Sequence, residues 1–377
     1  MNENTLYRAA SPSRTQTLSS ARTAKQDEFY TQLGDISNEL RHYREHLRGK
    51  VVLCNCDDPF ESAFFQYFAL KFNELGLKKL ICTSYAGSPI VNSQLPFVEF
   101  AGSKPHGREP YAVEINEVPD FNHDGAINRE DVEYLLRHDK NASRPLKGDE
   151  TYGGGDFRSR ECVEVLKTAD VVVTNPPFSL FREYVAQLVE PGKQFLIIGN
   201  VNAITYKEVF RLIKENRLWL GQSIHSGDRE FRVPDHYPLQ AAGFRVDENG
   251  TKYIRVKGVR WFTNMDYESR HEPIPLFKRY SPEEYPRYAN SNAIEVSKVA
   301  DIPSNYHGEM GVPITFLDRY NPEQFEILGS SHDMGVPMSS IAQRGTYVQG
   351  GPRFYLPDGD GRYRRMYDRL VIKRVSE

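Results

Sequence analysis

Apolar runs alternate with amphipathic segments along this 377-residue chain as far as Trp219. Four short apolar runs predict strands buried on both faces, as in a parallel sheet, and they lie at 51–54, 79–84, 171–174 and 194–198. Segments with helical spacing alternate with these runs and begin near positions 36, 60, 160, 179 and 205. This order predicts an α/β fold with a doubly wound, mostly parallel sheet. Beyond Trp219 the strand-like pieces are broken by Pro and Gly, which predicts a mainly β or irregular C-terminal region.

Composition narrows the class of protein. No run of about 18 apolar residues occurs, so we expect no membrane-spanning helix. The N-terminus lacks the apolar core of a signal peptide, which predicts a cytoplasmic location. Cys54, Cys82 and Cys162 lie in or beside apolar segments, and Cys-Asn-Cys at 54–56 fits no common zinc or redox spacing, so we expect buried thiols. The net charge is −3, so any basic surface must be local.

The segment Asn175-Pro176-Pro177-Phe178 carries the most specific chemistry. It follows the apolar run 171–174, at the predicted carboxyl end of a strand, where open α/β sheets bind ligands. The Asn175 side-chain oxygen and the Pro176 carbonyl can both accept hydrogen bonds from one NH2 group, while Phe178 offers a flat apolar face to a planar ring. The pattern predicts a site for an amino group on a heteroaromatic or amide plane. The alternative is an ordinary strand-to-helix turn, and in either case we expect Ser179 to cap the next helix.

A local basic patch lies between Arg344 and Arg374, where tyrosines and phenylalanine are interleaved with the charges. Its cations are Arg344, Arg353, Arg362, Arg364, Arg365, Arg369, Lys373 and Arg374. Cations mixed with aromatic residues suit a phosphate backbone and base edges. The alternative is a solvated charged tail or the exposed face of a final strand. Residues 1–24, rich in Ser, Thr, Arg and Ala, predict a disordered, weakly basic arm.

The segment 120–131 matches an EF-hand calcium loop and resembles half of a dockerin. Gly125 occupies the sharp turn, and the predicted ligands are Asp120, Asn122, Asp124 and Asp131, the last replacing the usual Glu. Only one such repeat is present in the sequence, whereas a dockerin has two. If calcium binds, we expect a structural role for it. The alternative is an Asx-rich turn in front of a helix.

Several segments together resemble a known family. They are 27–32, 51–59, 155–159, 172–181, 195–198, 204–210 and 310–313. In them the chain is similar to S-adenosylmethionine-dependent DNA adenine N6-methyltransferases, and most closely to the EcoRI-type modification enzymes. The resemblance runs from about Lys25 to about Leu328, apart from 86–147. It implies a cofactor-binding catalytic domain at 25–270 with an insertion at 86–150, and a target-recognition region at 271–377.

The resemblance also implies which residues hold S-adenosylmethionine. They are Tyr30, Thr31, Asn55, Asp57, Asp58, Asp156 and Phe157. Asp156 would accept a hydrogen bond from the adenine amino group of the cofactor and Phe157 would pack on its ring, although Asp156 also reads as an N-cap. The chain departs from the commoner methyltransferase pattern after its first strand, where no Gly is present. Thr83-Ser84 stand where an acidic residue usually binds the ribose.

The implied reaction is direct methyl transfer to an adenine that has flipped out of double-stranded DNA. Asn175 and Pro176 would hold its N6 amino group, the corner would be stiffened by Pro177, and Phe178 would stack on the base. Phe231 would close its other face, with a role as a core strand aromatic as the alternative. The expected DNA contacts are Arg353, Arg362, Arg364 and Arg365.

The resemblance implies a bacterial or phage-encoded enzyme, either an orphan or one paired with a restriction endonuclease that acts on the same site. It suggests GAATTC as that site. Two other functions stay open at this point. One is methylation of an RNA base or a protein glutamine, where an Asn-Pro-Pro-aromatic segment also occurs. The other is a catalytically silent DNA-binding relative.

Overall fold

The structure is a computed structural model that describes residues 31–56, 62–85, 110–138, 143–225, 228–233, 243–349 and 353–375. Its α-helices are α1 (Leu33–Leu40), α2 (Arg44–Leu47), α3 (Ala63–Leu70), α4 (Phe72–Leu75), α5 (Arg129–His138), α6 (Arg160–Thr168), α7 (Phe181–Val189) and α8 (Lys207–Lys214). Short 3-10 helices lie at Arg41–Tyr43, Phe178–Leu180, Val201–Thr205, Glu268–His271, Val299–Asp301, Ile314–Arg319 and Met338–Ser340. In the described part of the chain, no helix is long and apolar enough to cross a membrane.

The strands divide between the central sheet and smaller sheets. The first eleven are β1 (Val51–Cys54), β2 (Lys79–Thr83), β3 (Tyr111–Ile115), β4 (Ser143–Pro145), β5 (Val171–Thr174), β6 (Gln194–Asn200), β7 (Trp219–Leu220), β8 (Asp228–Val233), β9 (Arg245–Val246), β10 (Lys252–Lys257) and β11 (Val259–Thr263). The remaining six are β12 (Ile294–Glu295), β13 (Met310–Pro313), β14 (Phe325–Ser330), β15 (Tyr355–Pro357), β16 (Tyr363–Arg365) and β17 (Arg369–Arg374).

Eight of the described strands form the central sheet, in the order β4–β3–β2–β1–β5–β6–β11–β7. β2, β1, β5 and β6 are parallel neighbours. Among the described strands of this sheet, only β3 and β11 run against the common direction. The prediction of an α/β fold with a mostly parallel sheet is therefore confirmed.

Alternate residues of the central strands enter two cores on opposite faces of the sheet. Val171 and Val173 pack in one cluster with residues of α1 and α3, such as Leu40. Val172 packs in the other with residues of α6, α7 and α8, such as Tyr184. Because both faces are covered, β1 and β5 are buried along their whole length, which explains their continuous apolar sequences.

The C-terminal region is rich in strands, as predicted. A four-stranded sheet has the order β12–β13–β17–β14, and β15 pairs with β16 in a separate hairpin. Its core residues Met310, Phe316 and Ile372 belong to the same hydrophobic cluster as Val172 and Tyr184. One apolar core therefore continues from the central sheet into the C-terminal region. A further three-stranded sheet has the order β8–β10–β9, and its strands lie in sequence between β7 and β11 of the central sheet.

Some local predictions were wrong at the ends of elements. The helix after the Asn-Pro-Pro-Phe segment begins at Phe181, behind the 3-10 turn Phe178–Leu180, and Leu180 rather than Ser179 is its N-cap. The predicted helix at 60–75 is divided into α3 and α4. The expectation for the cysteines holds for three of them, since Cys54, Cys82 and Cys162 are buried and Cys56 is half-buried.

A buried ion pair joins the central sheet to the C-terminal region. Arg260 of β11 approaches Asp318, in the 3-10 helix Ile314–Arg319, with 3.2 Å between Nε and Oδ1. The side chains are only 7% and 9% exposed. Arg260 also donates to the carbonyl oxygens of Val259 and His225. Burial raises the pKa of Asp318, and the Arg260 guanidinium acts in the opposite direction.

Arg260→Met should lower the free energy of unfolding by about 3–5 kcal/mol, because it leaves the Asp318 carboxylate buried without its partner. The double variant Arg260→Met/Asp318→Leu should recover most of this loss, since both charges and their desolvation costs are then removed. Urea denaturation followed by circular dichroism measures both values. An equal loss in the single and double variants would contradict this account.

Candidate active site

The carboxyl ends of β1 and β5 meet where the strand order of the central sheet reverses. From β1 the sheet continues to β2 on one side, and from β5 it continues to β6 on the other. Ligands of open α/β sheets bind in the crevice at such a point. Asn55 follows β1 and Asn175 follows β5, and they are only 3% and 7% exposed. The sheet topology thus brings two buried asparagines to one crevice.

Two hydrogen bonds hold the loop after β1 against β5 and α7. The Cys56 backbone N–H donates to Thr174 Oγ1 at 3.2 Å. The buried Tyr184 hydroxyl, on α7, donates to Asn55 Oδ1. Because Tyr184 occupies the carbonyl oxygen of the Asn55 amide, the NH2 group is what Asn55 can offer to a ligand.

The Asn175-Pro176-Pro177-Phe178 loop is compact and only partly exposed. Asn175 and Pro176 are buried, whereas Pro177 and Phe178 are half-buried. The Leu180 N–H donates to the Pro177 carbonyl at 3.0 Å, which closes the turn into α7. Phe178 packs against the core cluster that contains Val171 and Val173. The loop therefore has a fixed polar corner with an aromatic ring beside it.

The segment Gly155-Asp156-Phe157 reaches the same edge of the sheet because of its glycine. Gly155 has a φ of +75°, and a Cβ there would lie 1.8 Å from the Ser84 carbonyl oxygen at the end of β2. Only glycine allows this approach. Phe157 is 4% exposed, and its ring lies edge-on to Tyr184 with 5.0 Å between centroids.

Asp156 is held by Arg158 and is not the cap of α6. Arg158 Nε lies 2.9 Å from Asp156 Oδ1 and Nη2 lies 2.8 Å from Oδ2, a bidentate pair. The N-cap is Ser159, which accepts from the Cys162 N–H at 3.3 Å, so the N-cap interpretation of Asp156 was wrong. Arg158 also reaches Glu183 of α7, at 3.4 Å. Hydrogen bonding to Asp156 raises the pKa of the Arg158 guanidinium above its ordinary value, so the guanidinium stays charged.

Two buried threonine hydroxyls near the expected cofactor segments have no hydrogen-bond partner among the described residues. They belong to Thr31, before α1, and to Thr83, the last residue of β2. An unsatisfied buried hydroxyl costs about 1–3 kcal/mol, so a polar ligand at these positions would stabilise them. Ser84, by contrast, exchanges hydrogen bonds with the Tyr111 backbone and is fully used in the pairing of β2 with β3.

Comparison with known proteins decides the family. A family model described as adenine-specific methyltransferase EcoRI matches residues 17–375. The chain belongs to this family. The match to the family model continues past Leu328, where the resemblance seen in the sequence ends. The model therefore also covers the strand-rich C-terminal region.

Individual relatives agree with this assignment. Type II methyltransferase M.EcoRI of Escherichia coli is 47% identical over 313 residues, which cover 82% of this chain and 88% of the relative. Type II methyltransferase M.MpnI of Mycoplasma pneumoniae is 35% identical over 363 residues, covering 94% of this chain and 97% of the relative. No solved structure gave a significant match. The chain is a site-specific DNA methyltransferase that modifies adenine.

The EcoRI-type family implies S-adenosylmethionine as the methyl donor, and the residues at the crevice fit it. At this edge of the sheet the Asn55 amide, the Asp156 carboxylate and the Thr83 hydroxyl offer hydrogen bonds of both kinds to a polar, multifunctional molecule. The Thr31 hydroxyl, before α1, is a further buried group without a partner among the described residues. The other residues expected in this site, Tyr30, Asp57 and Asp58, lie outside the described residues.

Phe231 lies in a hydrophobic core and not in an open pocket. It is on β8, opposite Ile254 of β10, and only 2% of its surface is exposed. It shares a core cluster with Val233 and Ile254. This position agrees with the core alternative weighed for Phe231 and gives no support to the expected base stacking.

The segment 120–131 satisfies its own polar groups. Asp120 Oδ2 accepts from the Gly125 N–H at 2.8 Å, and the Asp131 carboxylate accepts from the N–H groups of Phe121 and Asn128. Asp124 accepts from Ala126 N–H and from the Asn122 side chain. In the described residues, no group of three His, Cys, Asp or Glu side chains is placed to hold a metal ion. The contacts are those of an Asx-rich turn before α5, and the expected calcium site is not supported.

The four arginines expected to contact DNA have different surroundings. Arg353 forms an ion pair with Asp368, with 2.7 Å between Nε and Oδ1, and its side chain is 19% exposed. Arg362, Arg364 and Arg365 are exposed on the β15–β16 hairpin. The structure therefore separates one half-buried, ion-paired arginine from three that are open to solvent.

Two residues of the site were not predicted. Tyr184 belongs to the apolar stripe of α7. A hydroxyl group within a buried apolar stripe needs a hydrogen-bond partner, and this is the feature of the sequence that could have indicated its role. Arg158 follows Asp156-Phe157 directly and looks like an ordinary surface residue in the sequence. Its bidentate contact depends on the turn conformation, which the sequence pattern does not encode.

Arg158→Ala should raise the dissociation constant of S-adenosylmethionine about tenfold, because a carboxylate left without its charge-assisted bonds loses its fixed orientation. Titration calorimetry measures the constant. Arg160→Ala, which removes an exposed arginine two residues away, serves as the control and should leave affinity unchanged. If both variants bound the cofactor like the parent protein, Asp156 would not be part of the cofactor site.

Proposed function

We propose that this methyltransferase transfers a methyl group directly from S-adenosylmethionine to the N6 amino group of an adenine flipped out of double-stranded DNA. It would act as the modification enzyme of a restriction-modification system or as an orphan. The observation that carries the proposal is the buried Asn175-Pro176 corner at the topological switch point, with half-buried Phe178 beside it.

In this proposal the Asn175 side-chain oxygen and the Pro176 carbonyl accept both N–H bonds of the target amino group. Acceptance of both bonds moves electron density onto N6 and orients its lone pair away from the corner. Phe178 packs on the base and Pro177 stiffens the loop, so the amino group is held in one orientation. Positioning of this kind can supply most of the rate gain in a direct displacement.

The cofactor supplies a methyl group activated by its sulfonium charge. Asp156, oriented by Arg158, accepts a hydrogen bond from the adenine amino group of the cofactor. The Phe157 ring packs beside the adenine of the cofactor. Asn55 donates its NH2 group, because Tyr184 already occupies its oxygen. Thr31 provides a hydroxyl that has no other partner among the described residues. No strong general base is required, since the methylated ammonium product loses its proton readily.

We further propose that residues 25–270, with the insertion 86–150, form the catalytic domain and that residues 271–377 form the target-recognition region. Three exposed arginines, Arg362, Arg364 and Arg365, support DNA contact by the latter. A restriction endonuclease that cleaves the same sequence would be the partner of such an enzyme.

Asn175→Ala should lower methyl transfer to DNA at least about 100-fold, as expected for loss of a group that acts on the reacting atom. S-adenosylmethionine affinity should be nearly unchanged, because Asn175 faces the substrate amino group. Transfer of tritiated methyl groups to duplex DNA, with RNA and protein as parallel acceptors, measures the effect.

Asn249→Ala, a change at an exposed turn, is the matched control. Normal turnover by Asn175→Ala would remove this residue from the reaction. Methyl transfer by the parent protein to RNA or protein in preference to DNA would overturn the proposal as a whole.

A further inference from the structure

The β15–β16 hairpin is a separate two-stranded ribbon within the C-terminal region. Its strands pair antiparallel, with Tyr355 opposite Arg365 and Pro357 opposite Tyr363. The turn at 358–362 uses left-handed conformations at Gly359, Asp360 and Gly361, with φ of 77°, 46° and 68°. Asp358 N–H donates to the Arg362 carbonyl at 2.9 Å and closes the tip.

The first strand of the hairpin is anchored in a small hydrophobic cluster of the C-terminal region, where Phe354 and Leu356 pack with Val371 of β17. Phe354, Tyr355 and Leu356 are at most 5% exposed. Asn290 holds the first strand, since its side chain donates to the Arg353 carbonyl at 2.7 Å and accepts from the Tyr355 N–H at 3.0 Å. On the other strand the Tyr363 N–H donates to the Thr346 carbonyl at 2.9 Å. The ribbon is thus held rigidly along both strands.

The base of the hairpin is closed by an ion pair and a histidine. Arg353 precedes β15 and Asp368 follows β16, and Arg353 Nε lies 2.7 Å from Asp368 Oδ1. His332 bridges them, with Nε2 at 2.9 Å from Asp368 and Nδ1 at 3.0 Å from Arg353 Nη1. Because arginine only donates, His332 accepts at Nδ1 and donates from Nε2. Arg353 is therefore a positioning residue for the hairpin.

The second strand and the tip of the hairpin carry exposed side chains of both charges. Arg362, Arg364 and Arg365 are exposed, and no described residue forms an ion pair with them. Tyr367, just beyond β16, is 87% exposed. The tip adds two exposed carboxylates, Asp358 and Asp360.

The acidic groups at the tip favour contact with DNA base edges over contact with the phosphate backbone alone. Phosphates would repel Asp358 and Asp360, so a surface that only neutralises the backbone would be weakened by them. Base edges in the major groove can bind side chains of either charge, because arginine donates to guanine O6 and N7 and aspartate accepts from cytosine N4. The major groove also admits a two-stranded ribbon.

We propose that the hairpin 355–365 enters the major groove and reads base pairs of the target sequence. Arg364 and Arg365 contact guanine edges, and the carboxylates at the tip accept from cytosine amino groups. This inference rests on the proposed methylation of double-stranded DNA, and it assigns sequence specificity to one rigid element.

The test compares methylated motifs. The parent protein, Arg364→Ala, Arg365→Ala and Asp360→Asn are expressed in cells that lack adenine methylation, together with a plasmid library of random inserts. Single-molecule sequencing of the plasmids then gives the motif around each N6-methyladenine. We expect each variant to relax or change the motif at one or two positions, with discrimination there falling roughly 5- to 150-fold.

Arg48→Ala removes an exposed arginine near the catalytic domain's β1 and should leave the motif unchanged. Thermal melting and S-adenosylmethionine affinity show that each variant is folded, and Asp360→Asn keeps the left-handed turn because Asn adopts it readily. A motif unchanged in all three hairpin variants would overturn the inference, whether methylation falls or not, because phosphate contacts lower methylation without altering the motif. Absence of DNA methylation by the parent protein would instead overturn the proposed function.

Discussion

The parallel pairing of β1 with β5 is the contact on which the candidate site depends. Leu53 lies opposite Val172 in this ladder, so both strands end at the same edge, where Asn55 follows β1 and Asn175 follows β5. A slip of one residue would turn the buried side chains of β5 to the opposite face of the sheet. The hydrogen bond from the Cys56 N–H to Thr174 Oγ1 lies past the last ladder residues and fixes the loop after β1 on the end of β5.

The sequence could predict those parts of the fold that follow from local pattern. Buried strands such as Val171–Thr174 are continuous apolar runs because the sheet is covered on both faces, and their loops were therefore placed correctly. Side-chain partners could not be predicted in this way. Asp156 fitted an N-cap as well as a ligand contact, and only the turn conformation shows that Ser159 caps α6 while Arg158 binds Asp156. Phe231 fitted both a stacking and a core role because burial depends on β10, which is distant in sequence.

In the C-terminal region, composition alone could not distinguish arginines with a structural role from arginines that are exposed to solvent. Strands of three residues, such as Tyr363–Arg365, are too short to show a reliable alternation of apolar and polar positions. Arg353 and Arg364 therefore look equivalent in the sequence, although one closes the base of a hairpin and the other is exposed on it. The difference arises from Asp368 and His332, which reach Arg353 only after the chain has folded.

One continuous hydrophobic core supports both the candidate active site and the C-terminal region that we propose to recognise DNA. The cluster that contains Val172, on the strand before the Asn175-Pro176-Pro177-Phe178 loop, also contains Met310 and Ile372 of the C-terminal sheet, and the Arg260–Asp318 pair joins the same two regions. Residues that share a densely packed core move little relative to one another. The hairpin meets this support through β17, because Phe354 and Leu356 share a separate small cluster with Val371, whose neighbours Leu370 and Ile372 lie in the continuous core. A hairpin held in this way that reads base edges would fix the DNA relative to Asn175, because an active-site geometry tolerates errors of only about 0.5 Å. Specificity and methyl transfer would then be linked by packing, with no need for a hinge between the two regions.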